Sequence, residues 1–288
     1  MHNTTALTHK SLKPIDYLLV GHITQDLVNS GARIGGTVTY SGLTARALGL
    51  SVGIVTSCRP DMDFSAYEGI QIVNNAAEQN TTFRNIRSEY GRQQYLYHKA
   101  NLLNASHIPD LWKDAPIIHL GPVANEVDPS MINLFINKFV FLTPQGWLRD
   151  TDSDKRVLPV PWNLTPELTA KASAIVISTE DVQGDEGQIV ELASLCPLLV
   201  VTENKYGARV YWNGDVRHFA APEVTLIEDT GAGDIFAAAF FARLAKTNDP
   251  WESTQFAVKL SAASVMRKYL DSIPSVEEIN SAQIDLIA

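Results

Sequence analysis

The sequence predicts an α/β fold in three layers, a mostly parallel central sheet with helices on both faces. Three observations carry this. Short β-branched runs alternate with helix-like segments along the first 200 residues or so, the rhythm of βαβ units. Two of those runs, FVFLT and PLLVVT, are apolar almost throughout, as strands buried on both faces are. The 288 residues are 45% hydrophobic and 19% charged, enough for a large core and too apolar for a disordered chain.

Taken in order, Ile15–Val20 reads as the first strand and Gly36–Leu48 as a helix stopped by Gly49. Ser51–Thr56 is the second strand, and Ile117–Leu120, Phe139–Leu142, Ala174–Ile177 and Leu198–Thr202 continue the series. Helical character falls near Pro129–Asn137, Pro166–Lys171 and Glu186–Ser194, some of it opening on Asp, Asn or Thr suited to capping. The last third is helical over Gly233–Ala245, Trp251–Leu270 and Ser275–Leu286, with Pro250 and Pro274 placed for helix starts. Thr81–Lys99 breaks the rhythm. It alternates polar with apolar or aromatic residues on either side of Glu89-Tyr90-Gly91-Arg92, a β-hairpin pattern that either extends the sheet or forms a small lid over the strand ends.

Charge and cysteine content exclude several functions. Lys and Arg number 23 against 32 Asp and Glu, a balance of 23 − 32 = −9. That argues against a nucleic-acid backbone binder, whose affinity needs clustered cations. It leaves anionic ligands open, because backbone N–H groups bind phosphate without a basic side chain. No apolar run approaches a membrane span, and Met1–Pro14 lacks the apolar core of a signal peptide. Cys58 and Cys196 lie far apart, so neither a disulfide framework nor a zinc site is indicated. The cytoplasm is the default location.

The chemistry concentrates at Asp229-Thr-Gly-Ala-Gly-Asp234, directly before the helical run IFAAAFFARLA. Small residues Gly231, Ala232 and Gly233 let the backbone approach a ligand. Their N–H groups, free at a helix start and aided by the helix dipole, make an anion site. Asp234 follows in the first turn, where a carboxylate can take a proton from an attacking hydroxyl. Phosphoryl transfer needs those parts together. The bland reading is a capped core helix. It is neither a dinucleotide fingerprint, with Phe236 at the third Gly position, nor a P-loop, since GK[ST] is absent.

This segment resembles the C-terminal signature of the ribokinase-like (PfkB) family of small-molecule kinases, and the likeness extends in order from Ile15 to about Leu270. Gly21-His-Ile-Thr-Gln-Asp26 is similar to the family's strand-end segment, and Gly35-Gly36 before an Ala/Leu-rich helix to its di-glycine motif. Thr202-Glu-Asn-Lys-Tyr-Gly207-Ala208 is similar to its TxGxxGA nucleotide segment. The resemblance implies a single kinase domain over 1–288 with a β lid inserted at roughly 79–100, strands near 31–36 joining it. It implies Asp234 as general base and Gly231, Ala232 and Gly233 as the anion hole. Asp26, Gly35 and Gly36 would bind the acceptor, with Tyr40 where a ribokinase has Asn, which speaks against ribose. Thr202, Asn204, Gly207 and Thr230 would line the ATP site. The Asn-x-x-Glu that organises Mg²⁺ maps onto Ser178-Thr-Glu180-Asp181, so Glu180 or Asp181 would serve the metal. A monovalent cation is left open.

Thr143-Pro-Gln145-Gly-Trp-Leu-Arg149 follows a predicted strand and resembles a QALIR run of the inositol-kinase branch, which ranks cyclic polyols such as myo-inositol above ribose. The expectation is a carbohydrate kinase using ATP and Mg²⁺, its partner a small-molecule substrate rather than nucleic acid or membrane. A homodimer through exposed lid edges is a further expectation. Two rivals stand beside it. A nucleoside kinase of the same family would stack Tyr40 or a hairpin aromatic on the base. A catalytically silent sensor is motivated by Asn204 and Asp181, which depart from the family pattern, and opposed by the intact Asp234.

Overall fold

The structure is a computed structural model that describes residues 12–88 and 91–283. The chain begins β1 (Tyr17–Val20), β2 (Thr24–Val28), β3 (Gly31–Gly35), α1 (Thr37–Ala47), β4 (Val52–Thr56), β5 (Gln71–Asn74), β6 (Thr81–Ser88) and β7 (Gly91–His98). It continues through β8 (Ile117–Leu120), β9 (Phe139–Leu142), β10 (Arg149–Thr151), β11 (Val157–Pro159), α2 (Pro166–Thr169), β12 (Ala174–Ser178) and α3 (Glu186–Leu195). Last come β13 (Leu198–Thr202), β14 (Ala208–Trp212), β15 (Asp215–Phe219), α4 (Ala232–Thr247), α5 (Pro250–Ser264) and α6 (Val276–Ala282).

Among the described residues nine strands form the main sheet, ordered β15-β14-β13-β12-β9-β8-β1-β4-β5. From β13 to β5 the pairs are parallel; β14 and β15 add an antiparallel edge. Alternate residues of each central strand point to opposite faces, which gives two cores. Leu19, Ile54, Phe141, Val176 and Val200 face α1, α4 and α5. Leu18, Val55, Ile118, Leu142, Ile175 and Val201 face the other layer, with Trp112, Trp147 and Leu192. The three-layer expectation therefore holds. Where the sequence suggested helices at Pro129–Asn137 and to Leu270, the chain forms a 3₁₀ turn at Pro129–Leu134 and ends α5 at Ser264. The last helix, expected to Leu286, is described only as α6, since residues 284–288 lie outside the described residues.

The chain leaves β1 in one direction to β4 and β5, then returns to β8 on the other side. The crevice at such a reversal, beyond the carboxyl ends of the strands, is where open α/β sheets bind ligands. Gly21 and Gly121 close off the two strands there, and a Cβ on Gly21 would fall on the Gly121 carbonyl. Over this crevice stands a second sheet ordered β3-β2-β6-β7. The hairpin foreseen at Thr81–Lys99 is β6 and β7; its turn residues Glu89 and Tyr90 lie outside the described residues. The β10–β11 ribbon grips one edge of this sheet: Leu96 N–H donates to the Lys155 carbonyl at 2.9 Å and Tyr95 bridges to Arg156. That leaves β3 as the more open edge, the one on which a lid-mediated dimer would depend.

Candidate active site

The segments that carry Asp26, Gln145, Asp181 and Asn204 follow the carboxyl ends of the parallel strands β1, β9, β12 and β13. β1 runs on through Ile23 into β2, which carries Asp26, and β3 leads back into α1 through Gly35 and Gly36. Each glycine has its own steric reason. A Cβ on Gly35 would sit 2.6 Å from Asp26 Oδ2, so the carboxylate lies over that α-carbon. Gly36, the N-cap of α1, takes φ 89°, and a Cβ there would stand 2.6 Å from the His22 carbonyl oxygen.

Helix α4 opens at Gly231, which has φ 82° and ψ −5°, without a side-chain cap. Ala232 N–H turns back to the Asp229 carbonyl, and the first helical bond runs from Ile235 N–H to the Gly231 carbonyl. The N–H groups of Gly233 and Asp234 come before that bond and have no acceptor within the helix. A Cβ on Gly233 would meet nothing within 4 Å, so this turn faces open space. The start of α4 is fixed from below by Ser41 Oγ donating to the Asp234 carbonyl at 3.0 Å and by Ser261 Oγ donating to the Ala232 carbonyl at 3.0 Å.

Asp234 is half-buried, and its carboxyl is pushed up to about 6. Burial is the main cause, and the negative fields of Asp181 and Asp26 add to it. The Thr37 hydroxyl, hydrogen-bonded to the carboxylate, and the Arg149 guanidinium pull the other way. Three expected site residues, Asp26, Arg149 and Asp181, are therefore within electrostatic reach of Asp234, although the four come from β2, β10, the turn after β12 and α4. Thr37, at the first position of α1, is a functional candidate the sequence reading missed. Its only signal was its place directly after the di-glycine.

Asp181 is more occupied than expected. Its Oδ2 accepts from Ser178 N–H at 2.8 Å, while Gln145 Nε2 donates to Oδ1 at 3.4 Å and Arg149 Nη2 lies 3.7 Å from the same oxygen. Gln145 and Arg149 thus reach the site edge as expected. Glu180 is exposed and receives the Asn204 amide at 3.3 Å. Of the residues expected to line the nucleotide, Thr202 ends β13, and Asn204 takes φ 51° in the following turn. Gly207 has φ 105°, and a Cβ there would fall on the Phe219 carbonyl, so its glycine is required by packing against β15. Thr230 stands one residue ahead of the Gly231 cap.

Tyr40 is a correction. It is 2% exposed, with its ring packed against Gly231, so the ring cannot stack on a nucleoside base. Its hydroxyl is pushed above the usual phenol range by burial and by the fields of Asp26, Asp234 and Glu228, with Arg33 opposing. His22 and His119 belong to the core. His22 bonds the Thr81 hydroxyl and the Asn101 carbonyl, and His119 bonds Tyr17 and Thr143.

Beside α4, Ile227 and Glu228 N–H groups both donate to the Val265 carbonyl. This tether holds Leu226, 60% exposed, and Ile227, 51% exposed, near Met266, in the stretch of chain that leads to the Gly231 turn. No sequence signal marked this apolar surface, because the fold alone brings Leu226 and Ile227 to Met266, which lies 39 positions further along the chain.

Comparison with known proteins agrees with this fold. The model of the pfkB family carbohydrate kinases matches residues 139–276. An inositol 3-kinase of Zea mays is 32% identical over 126 residues, 42% of this chain and 32% of that protein, so the chain spans about a third of its length. A cytidine kinase of Thermococcus kodakarensis is 22% identical over 283 residues, covering 89% of this chain and 98% of that protein. A pyrophosphate-dependent kinase in the ribokinase family, complexed with a pyrophosphate analog and myo-inositol, superposes with a TM-score of 0.77 at 18% identity, covering 92% of this chain and 99% of that one. Arabidopsis thaliana ribokinase complexed with ribose and ATP gives 0.70 at 15%, covering 94% and 99%. The fold is that of the ribokinase family. On that fold residues 139–276 match the pfkB carbohydrate-kinase model, a model of phosphotransferases, in line with the sequence resemblance. Among the described residues no helix is long and apolar enough to cross a membrane.

Proposed function

We propose that this protein is an ATP-dependent kinase that transfers the γ-phosphate to one hydroxyl of a small polyhydroxylated acceptor, a sugar or a cyclic polyol, with myo-inositol among the candidates. The observation that carries this is Asp234, in the first turn of an uncapped helix, with a carboxyl pushed up to about 6. A base tuned near the working pH is mostly ionised yet still basic enough to take a hydroxyl proton.

In this reading Asp26, seated over Gly35, accepts hydrogen bonds from acceptor hydroxyls and leaves one hydroxyl facing Asp234. That hydroxyl loses its proton to Asp234 Oδ as its oxygen forms the bond to the γ-phosphorus and the bond to the ADP oxygen breaks. Charge on the transferred group is met by the Gly233 and Asp234 N–H groups and by the positive end of α4. Thr37 keeps the Asp234 carboxylate turned into the site.

The exposed apolar surface of Leu226, Ile227 and Met266 supports a nucleotide donor, since a base has an apolar face to bury and pyrophosphate has none. A magnesium ion would supply charge neutralisation on the donor phosphates. The donor set suits an ion held mostly by phosphate and water: Glu180 is an exposed hard-oxygen ligand, Asp181 a second, and no cluster of three His, Cys, Asp or Glu residues is found among the described residues.

A nucleoside acceptor is a second reading, favoured by the likeness to the cytidine kinase along nearly its whole length. ADP release from Mg-ATP with myo-inositol, D-fructose, D-ribose and cytidine tests both. Turnover on a polyol or sugar, lowered about a thousandfold in Asp234→Asn with ATP binding kept, is the expected result. Turnover on cytidine alone would favour the nucleoside reading, and near-normal turnover by Asp234→Asn would remove Asp234 from its role.

A further inference from the structure

The pairing register of the lid sheet decides which of its side chains share a face. Asp26 pairs with Arg33 on β3 and with Phe83 on β6, and Phe83 pairs with Leu96 on β7. Asn85 and Gln94, paired with each other, are two residues further along those strands and so lie on the same face as Asp26. Phe83 is buried against Val123 and Ala124, which end the β8 side of the crevice, so this is the face turned toward the strand ends.

On that face Gln94 makes two bonds that define its orientation. Arg149 Nη1 donates to Gln94 Oε1 at 3.0 Å, and Gln94 Nε2 donates to Asn85 Oδ1 at 3.0 Å. A guanidinium only donates, so the amide cannot be turned the other way round. Beyond those two bonds the amide still has one N–H and one oxygen lone pair, the pair of groups that reads a hydroxyl as both donor and acceptor. Arg149 is held at its far side by Asp181, which also receives Gln145. The result is a continuous chain, Asn85–Gln94–Arg149–Asp181, running from the lid to the strand ends. The β10–β11 ribbon, which carries Arg149 and clasps Leu96 and Tyr95, keeps this part of the lid in fixed relation to the body. Strands β2 and β7 are two strand spacings apart, roughly 10 Å, so Asp26 and Gln94 stand toward opposite sides of this face.

We propose that Gln94 is a specificity-determining residue, reading a hydroxyl of the acceptor on the side of the ring opposite Asp26 and fixing Arg149 beside it. This rests on the acceptor-kinase reading above. The test is kcat/KM for myo-inositol, D-fructose, D-ribose and cytidine in wild type, Gln94→Leu and Gln94→Glu, with the KM for ATP as the donor-side control. Gln94→Leu is expected to raise KM for the preferred acceptor about ten- to hundredfold and to narrow its preference over the other three by a similar factor. The KM for ATP should stay within about twofold. Gln94→Glu still accepts from Arg149 but loses the N–H groups and gains a negative charge. It is expected to fall between wild type and Gln94→Leu, which keeps the proposal testable if the leucine variant folds poorly. Acceptor preference within twofold of wild type in both variants would overturn the proposal. A wild-type enzyme that turns over none of the four acceptors would instead overturn the kinase reading and this inference with it.

Discussion

The ring of Tyr40 lies against the backbone of Gly231, so close that a Cβ built on the glycine would stand 2.5 Å from Tyr40 Cε1. One residue of α1 thereby sets the height of the turn that opens α4. The tyrosine, one of the aromatics that a nucleoside kinase would stack on the base, packs against the turn before α4 instead, and its hydroxyl feels the fields of Asp26 and Asp234.

Gly231→Ala should therefore fail for two reasons. Alanine at φ 82° costs about 1–2 kcal/mol, and its methyl collides with the Tyr40 ring. We expect a fall in kcat of about a hundredfold and a lower melting temperature. Adding Tyr40→Ala should restore part of the stability, since it relieves the collision and leaves the backbone strain. Thermal melts of the two single variants and the double variant measure this coupling.

Thr37→Val removes the hydroxyl that favours the ionised form of Asp234. The carboxyl should then titrate above about 6, and the acidic limb of the kcat/KM profile should move to higher pH by the same amount. The sign is diagnostic: a limb that stayed in place, or moved down, would mean that Asp234 does not set it.

Stability should fall as the solution is acidified below neutrality. His119 is held near 3 and His22 is lowered too, both because burial disfavours the charged ring. The unfolded chain binds protons at these two sites from about 6.5 downward while the folded chain does not. Their contribution is complete above about 6.5 and is lost progressively as pH drops toward the folded values. Asp234 acts in the opposite sense, since its raised carboxyl stays protonated in the folded state between about 4 and 6. Urea denaturation at pH 7.5 and 5.0 should show the net loss, and His119→Gln should flatten it.

Cys58 and Cys196 are both buried, and burial pushes each thiol up to about 12. A thiol reagent at pH 8 should label neither in the folded protein within the time that labels both in denaturant. Rapid labelling of either would show that its core cluster opens locally.

The parts of this protein legible in the sequence are those whose cause is local. The strands β1, β4, β8, β9, β12 and β13 declared themselves because a strand buried on both faces must be apolar at nearly every position. The start of α4 did so because only small residues fit a left-handed turn followed by free N–H groups. Strands β2, β3, β10, β14 and β15 were not read as strands of known pairing. They are short, polar on at least one face, and stabilised by partners the local pattern does not name.

By itself the sequence indicated the layered fold and the position of the small-residue turn before α4, and singled out Asp26, Glu180, Asp181 and Asp234 as acidic candidates. Only the tertiary structure decided the register and packing that give those residues their neighbours. It placed Thr37 on Asp234, buried Tyr40 under Gly231, tied Asp181 to Ser178 and Arg149, and brought Gln94 to Arg149 across 55 positions of chain. The physical reason is that hydrophobic periodicity specifies which face of an element is buried, whereas polar contacts depend on which elements become neighbours. That choice is made by long-range pairing and packing, and no stretch of sequence contains it alone.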